Sequence, residues 1–159
     1  MRLEVLAHDF LFVRAAARVE SLNEEVLLAA LSVHDGEVTA RCRERNDHVT
    51  FLAFLKALYR KYPRRQLYVI CDNLSVHKHS EVKEWAARRR RLTLLFTPTY
   101  ASWLNQVEIF FNIFTREVMR GGVWASKQEL VEQIMYYIKR YNEDAVPFSW
   151  NYTGKPLTV

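Results

Sequence analysis

Glycine and proline are scarce in this chain, four of each in 159 residues, and cysteine is scarcer still, with two. So few backbone breakers, in a chain half of whose residues are hydrophobic, exclude a disordered segment. Cys42 and Cys71 stand far apart, form no C-x-x-C pair and fall in strand-like runs. That excludes a cysteine-built zinc site and a disulfide framework, and leaves two buried thiols. No apolar run reaches the ~20 residues of a membrane span, and the first residues lack the basic start, apolar core and small-residue cleavage site of a secretory signal. A cytoplasmic protein without membrane contact is expected. There is no internal repeat or low-complexity linker, and 159 residues suit one domain with a substantial core.

What is abundant is positive charge. The net charge is +5, and the cations cluster: Arg60, Lys61, Arg64 and Arg65 precede one short apolar run, and Lys78, Lys83 and Arg88-Arg89-Arg90-Arg91 follow it. Such clustering suits a polyanion. The arginine run equally suits the last turn of a helix, where cations complement the dipole and solvate a loop.

Hydrophobic periodicity gives the order of elements. Residues 24–33, EEVLLAALSV, and 37–42, EVTARC, flank Asp35-Gly36, a hairpin signal that sets two antiparallel strands. Asn46-Asp47 can cap a helix carrying Phe51, Phe54, Leu55 and Leu58, which Pro63 closes. Leu67 to Cys71 is a short strand, residues 80–90 a helix with Val82, Trp85 and Ala86 inward, and Leu92 to Phe96 another strand. A helix over 101–119 repeats Trp103, Val107, Phe110, Phe114 and Val118. A last one over 126–141 opens on Ser126-Lys127-Gln128-Glu129, a capping-box form. Residues 1–21 have mixed character: RLEVLAHDF alternates weakly and FVRAAARVE has a helical look. The tail from Asn142 holds Pro147, Phe148, Trp150 and Tyr152, aromatics suited to packing on the domain. The order hairpin, helix, strand, helix, strand, helix, helix suits an α/β layered domain.

Two carboxylates stand out in this frame. Asp72 sits at the exit of the Leu67 to Cys71 strand, and Glu108 shares a polar helical stripe with Asn105 and Asn112. A hard divalent cation takes oxygen ligands, often only one or two protein carboxylates, so the pair suits a metal site. The simpler reading makes Asp72 the start of an Asp-Asn turn and Glu108 a surface acid. Asp35 and Asp47 are alternative acids, but both lie in predicted turns. His8, His34, His48 and His79 have no metal-ligand spacing.

The segments CDNLSVHK, FTPTYASWLNQVEIFFNIFTREV and RGGVWASKQELVEQI resemble the DDE-type transposases of the insertion-sequence and mariner-like superfamily. Asp72, Asn73 and His77 match the family's DN-x-x-x-H box, which carries its second catalytic aspartate. Pro98, Ser102, Leu104, Asn105 and Glu108 match its P-x-x-x-S-x-L-N-x-x-E box, which carries the glutamate. The resemblance spans about residues 27–150. It implies a ribonuclease-H-like fold, with a mixed central sheet flanked by helices, over residues 26–159, and a leader over 1–25 that supplies the first strand, from within Met1 to Val13, or lacks it. A sheet short of that central strand would need a partner chain, so a homodimer is expected in that case.

The chemistry implied is DNA cleavage and strand transfer by two Mg2+ or Mn2+ ions, ~3.5–4 Å apart. Asp72 and Glu108 would hold the metals, and Asn73 and Asn105 would orient those acids or meet phosphate. His77 would touch the scissile strand or, as well, make a helix-entry hydrogen bond. Arg88, Arg89, Arg90 and Arg91 would lie along the DNA backbone near the metals, in a nucleoid-associated protein. The family's first catalytic aspartate belongs on the opening strand, where the leader offers only Asp9, in the unlike setting AHDFLF. Two carboxylates balance half the charge of two divalent ions. Weak or absent activity is therefore expected, the alternative being a non-catalytic remnant that binds nucleic acid or oligomerises. End recognition in the family belongs to an upstream helix-turn-helix, for which this chain has no room.

Overall fold

Asp35-Gly36 reverses the chain as its position predicts: Gly36 adopts φ +75°, Gly36 N–H donates to Ser32 O, and Ser32 N–H donates to Glu37 O. In the computed structural model, residues 9–18, 26–97, 107–120 and 122–147 are described, with backbone alone for 9–18, 108 and 109. The turn joins β2 (Val26–Ser32) to β3 (Val38–Arg43), paired antiparallel.

Beside β2 lies β1 (Asp9–Arg18), antiparallel to it, with a register shift between Ala15 and Ala17. Its other edge pairs in parallel with β4 (Leu67–Cys71), which pairs in parallel with β5 (Leu92–Phe96). The five-stranded order is β3-β2-β1-β4-β5. The leader thus supplies a central strand, lying later than the Met1 to Val13 source expected. FVRAAAR is extended despite its helical look: Phe12 and Val13 are laddered to both neighbours and the residues after them to β2, and this main-chain pairing outweighs the helix propensity of three alanines.

Helices cover both faces. On one, α1 (His48–Lys61) and α2 (Ser80–Ala87) bury Phe51, Phe54, Leu55, Leu58, Val82 and Ala86 against Leu28, Ala30, Val69 and Cys71. On the other, α3 (Val107–Phe114) and α4 (Lys127–Glu143) bury Phe110, Phe111, Phe114, Leu130, Ile134 and Ile138 against Leu27, Ala29 and Leu31. Alternate residues of β2 serve opposite layers, which is why VLLAALS is apolar throughout. Asp47 and Ser126 cap α1 and α4, accepting from Thr50 N–H at 2.8 Å and Glu129 N–H at 3.1 Å. A π-helical turn, Thr115–Met119, prolongs α3. Trp103, Phe148, Trp150 and Tyr152 lie outside the described residues. Neither cysteine forms a disulfide; Cys71 is buried as expected but Cys42 is half-buried, and burial, with the Asp72 charge next door, pushes Cys71 up to about 12.

A candidate metal-binding end of the sheet

Because β1, β4 and β5 are mutually parallel and β3 runs the same way, their carboxyl ends meet at one edge. Asp72 leaves β4 at that edge. Thr97 N–H donates to Cys71 O at 2.9 Å and fixes the exit of β5 beside it. Two overlapping turns follow, His77 N–H to Leu74 O and Lys78 N–H to Ser75 O, and they fold His77 back onto Asp72. Its Nδ1 lies 2.6 Å from Asp72 Oδ1 and 3.2 Å from the Asp72 carbonyl oxygen. A carbonyl oxygen only accepts, so Nδ1 carries the proton there. The ring is fully buried and packs on Phe51, with centroids 4.2 Å apart.

The His77 ring has no exposed surface, and its Nδ1 faces the Asp72 carboxylate. Asp72 keeps a fifth of its side chain exposed, while its Oδ1 is buried against the imidazole. Position 72 also continues the parity of Tyr68 and Ile70, and Ile70 packs on the α3 layer, so the acid stands at the border of the two helical layers. Asn73 is half-buried beside it.

Glu108 is the second residue of α3, and Asn112, one turn on, is exposed. Asn105, Pro98, Ser102 and Leu104 lie outside the described residues.

Asp9 and the arginine run are placed elsewhere. Asp9 pairs with Leu67, the first residue of β4, while Val13 pairs with Cys71, the last. With ~3.3 Å per residue, five positions from Leu67 to Asp72 put Asp9 ~16 Å from the carboxyl end. Next to Asp72 along the β1 register comes Arg14. Arg91 accepts at its carbonyl from Leu67 N–H, 2.7 Å away, so Arg88 to Arg91 sit at the far end of β4 because α2 runs back along the sheet. There Arg91 donates through Nη1 to Tyr62 O at 2.7 Å and to Arg65 O at 2.9 Å and lies over Tyr59, while Arg89 lies over Trp85. Arg88 and Arg90 are exposed. Sequence proximity to Asp72 had suggested cations around the metal; an eight-residue helix carries them away.

Asp35 and Asp47 are spent locally, on Glu37 N–H and Thr50 N–H.

A family model described as DDE superfamily endonuclease matches residues 14–131. Among curated proteins, the chain is similar to the insertion element IS630 uncharacterized 39 kDa protein of Shigella sonnei, at 25% identity over 120 residues, covering 74% of this chain and 35% of that protein. The chain thus spans about a third of the length of that relative. With the family match extending over well more than half of its residues, from within β1 into α4, the chain belongs to the DDE superfamily endonucleases.

Proposed function

We propose that this chain is a transposase catalytic domain of ribonuclease-H-like fold whose sheet end holds a divalent cation at Asp72 and Glu108, and whose DNA cleavage and strand transfer are impaired. One observation carries the reading: Asp72 emerges from β4 beside a parallel central strand and is gripped from below by His77. Divalent metals are general in the family. One Mg2+ or Mn2+ suits the donor chemistry, a hard ion beside one or two carboxylates, and it would supply charge stabilisation at a phosphodiester oxygen. His77 fixes the Asp72 carboxylate and Asn73 and Asn105 orient the acids or meet phosphate. The two acids carry the site's negative charge.

A second ion fits poorly. The resemblance expects an acid on the opening strand, and the register offers Arg14 in that neighbourhood, with Asp9 at the wrong end. A cation at that position of the register would add to the charge that two carboxylates already fail to balance. The same residue favours the alternative reading, a non-catalytic module that binds DNA through phosphate contacts. Such a protein would be cytoplasmic and nucleoid-associated. A homodimer gains nothing from a missing strand, because β1 fills the sheet; it would draw on the outer edge of β5, which no strand pairs among the described residues and where Leu95 is exposed.

The test is a nicking assay on DNA with Mg2+ or Mn2+, with Asp9→Ala, Asp72→Ala, Glu108→Ala and Arg14→Asp in parallel. Weak or absent nicking by the natural chain is expected, unchanged by Asp9→Ala, abolished by Asp72→Ala or Glu108→Ala, and raised by Arg14→Asp. Robust cleavage that survives Asp72→Ala would remove the site assignment.

A further inference from the structure

The turn that returns His77 to Asp72 also delivers His79 to the start of α2, and α1 begins with His48 at the same edge of the sheet. The two imidazoles stack, centroids 3.6 Å apart and planes 15° from parallel, and His48 Nε2 is 3.6 Å from Glu81 Oε1. One ligand atom from each of His48, His79 and Glu81 lies within 4.8 Å of the others. Ligands on a tetrahedral zinc, with bonds near 2.0–2.1 Å, sit about 3.4 Å apart. The His48–Glu81 pair is already at that spacing.

We propose that His48, His79 and Glu81 form a second metal site, for a borderline cation such as Zn2+, separate from the carboxylate site at Asp72. The donor set decides the class of ion. Two imidazoles and one carboxylate suit zinc or its neighbours, whereas magnesium favours oxygen throughout. Three protein ligands leave a fourth position to water.

Loading requires one ring to leave the stack, since stacked imidazoles aim their in-plane lone pairs side by side. His79 is the ring that turns. Its Nδ1 accepts from Glu81 N–H at 3.4 Å, a long contact that is readily given up. All three side chains are half-buried or exposed, so an ion enters from solvent. Bound there, it would clip the first turn of α1 to the first turn of α2 and thereby brace the 72–79 turn that holds Asp72.

The experiment is equilibrium dialysis of the full chain against Zn2+ alone, with cobalt as a spectroscopic stand-in and a thermal melt as a second readout. One zinc per chain is expected, a four-coordinate cobalt spectrum, and a thermal midpoint raised by the metal, because a ligand that binds only the folded state stabilises it. His48→Asn and Glu81→Gln, which preserve side-chain size and spare the α2 cap, should each weaken binding at least about tenfold and remove the thermal shift, while Asp72→Ala leaves both intact. Failure to retain zinc overturns the proposal. So does zinc that survives His48→Asn and Glu81→Gln, or that is lost in Asp72→Ala, which would put the ion at the β4 exit.

Discussion

At the scale of single residues, Gly36 has little freedom to change. Its φ of +75° is a conformation that side-chain-bearing residues rarely adopt, and an added Cβ would overlap the Val146 carbonyl. Gly36→Ala should therefore cost ~1–3 kcal/mol for the backbone conformation, with the collision adding to it, read as a lowered urea midpoint at unchanged slope. Beside it, burial raises the Asp35 carboxyl, but hydrogen bonds from the Ser32 side chain and Glu37 N–H outweigh this and leave it below its ordinary 3.8. A depressed acid stabilises the fold above the unfolded value and loses that contribution as pH falls through the folded one. Urea midpoints of the natural chain and Asp35→Asn should differ at neutral pH and draw together as the medium becomes acidic. The D-G pair announced this turn in the sequence; Val146, 110 residues on, was announced by nothing.

At the scale of elements, one side chain covers the outer edge of β3 at Val38. Asn142, near the end of α4, accepts from Val38 N–H and donates to Val38 O, both at 2.8 Å, as a neighbouring strand would. Asn142→Ala leaves a half-buried N–H and carbonyl without these partners and should cost ~1–3 kcal/mol, with faster amide exchange at Val38. The elements themselves were largely legible. β4 and β5 begin and end where their apolar runs do, Asp47 and Ser126 cap as their types predict, and α4 runs two residues past the expected Tyr141. β1 was not legible, because where β2 and β4 both flank it a strand needs no alternation, and farther along, where β2 alone pairs with it, alanine carries little strand signal.

For the whole molecule, the decisive feature is polarity from end to end. Asp72, His77, His79 and His48 stand at one end of the sheet, and Arg64, Arg65, Arg88 and Arg90 at the other, joined by α1 and α2 running back from the first end. DNA binding should be phosphate-directed and fall steeply with salt, and Arg88→Glu with Arg90→Glu should lower both the affinity and the salt slope while leaving the melting point near its original value. Arg91→Ala should instead lower stability, by ~1.5–3 kcal/mol, since its guanidinium ties two main-chain carbonyls. A binding isotherm flat between low and moderate salt would contradict the first expectation.

The sequence by itself determined the α/β class, the hairpin, four helices, the strand that ends at Asp72 and the two boxes that carry the family likeness, because each rests on local periodicity, turn chemistry or residue type. Only the tertiary structure decided that Asp9 belongs to the wrong end of β1, that the arginine run is carried away from Asp72, and that His48 meets His79 and Glu81. Those outcomes depend on strand register and on the direction in which a helix returns along the sheet, and both are set by contacts between segments far apart in the chain, which local pattern does not encode.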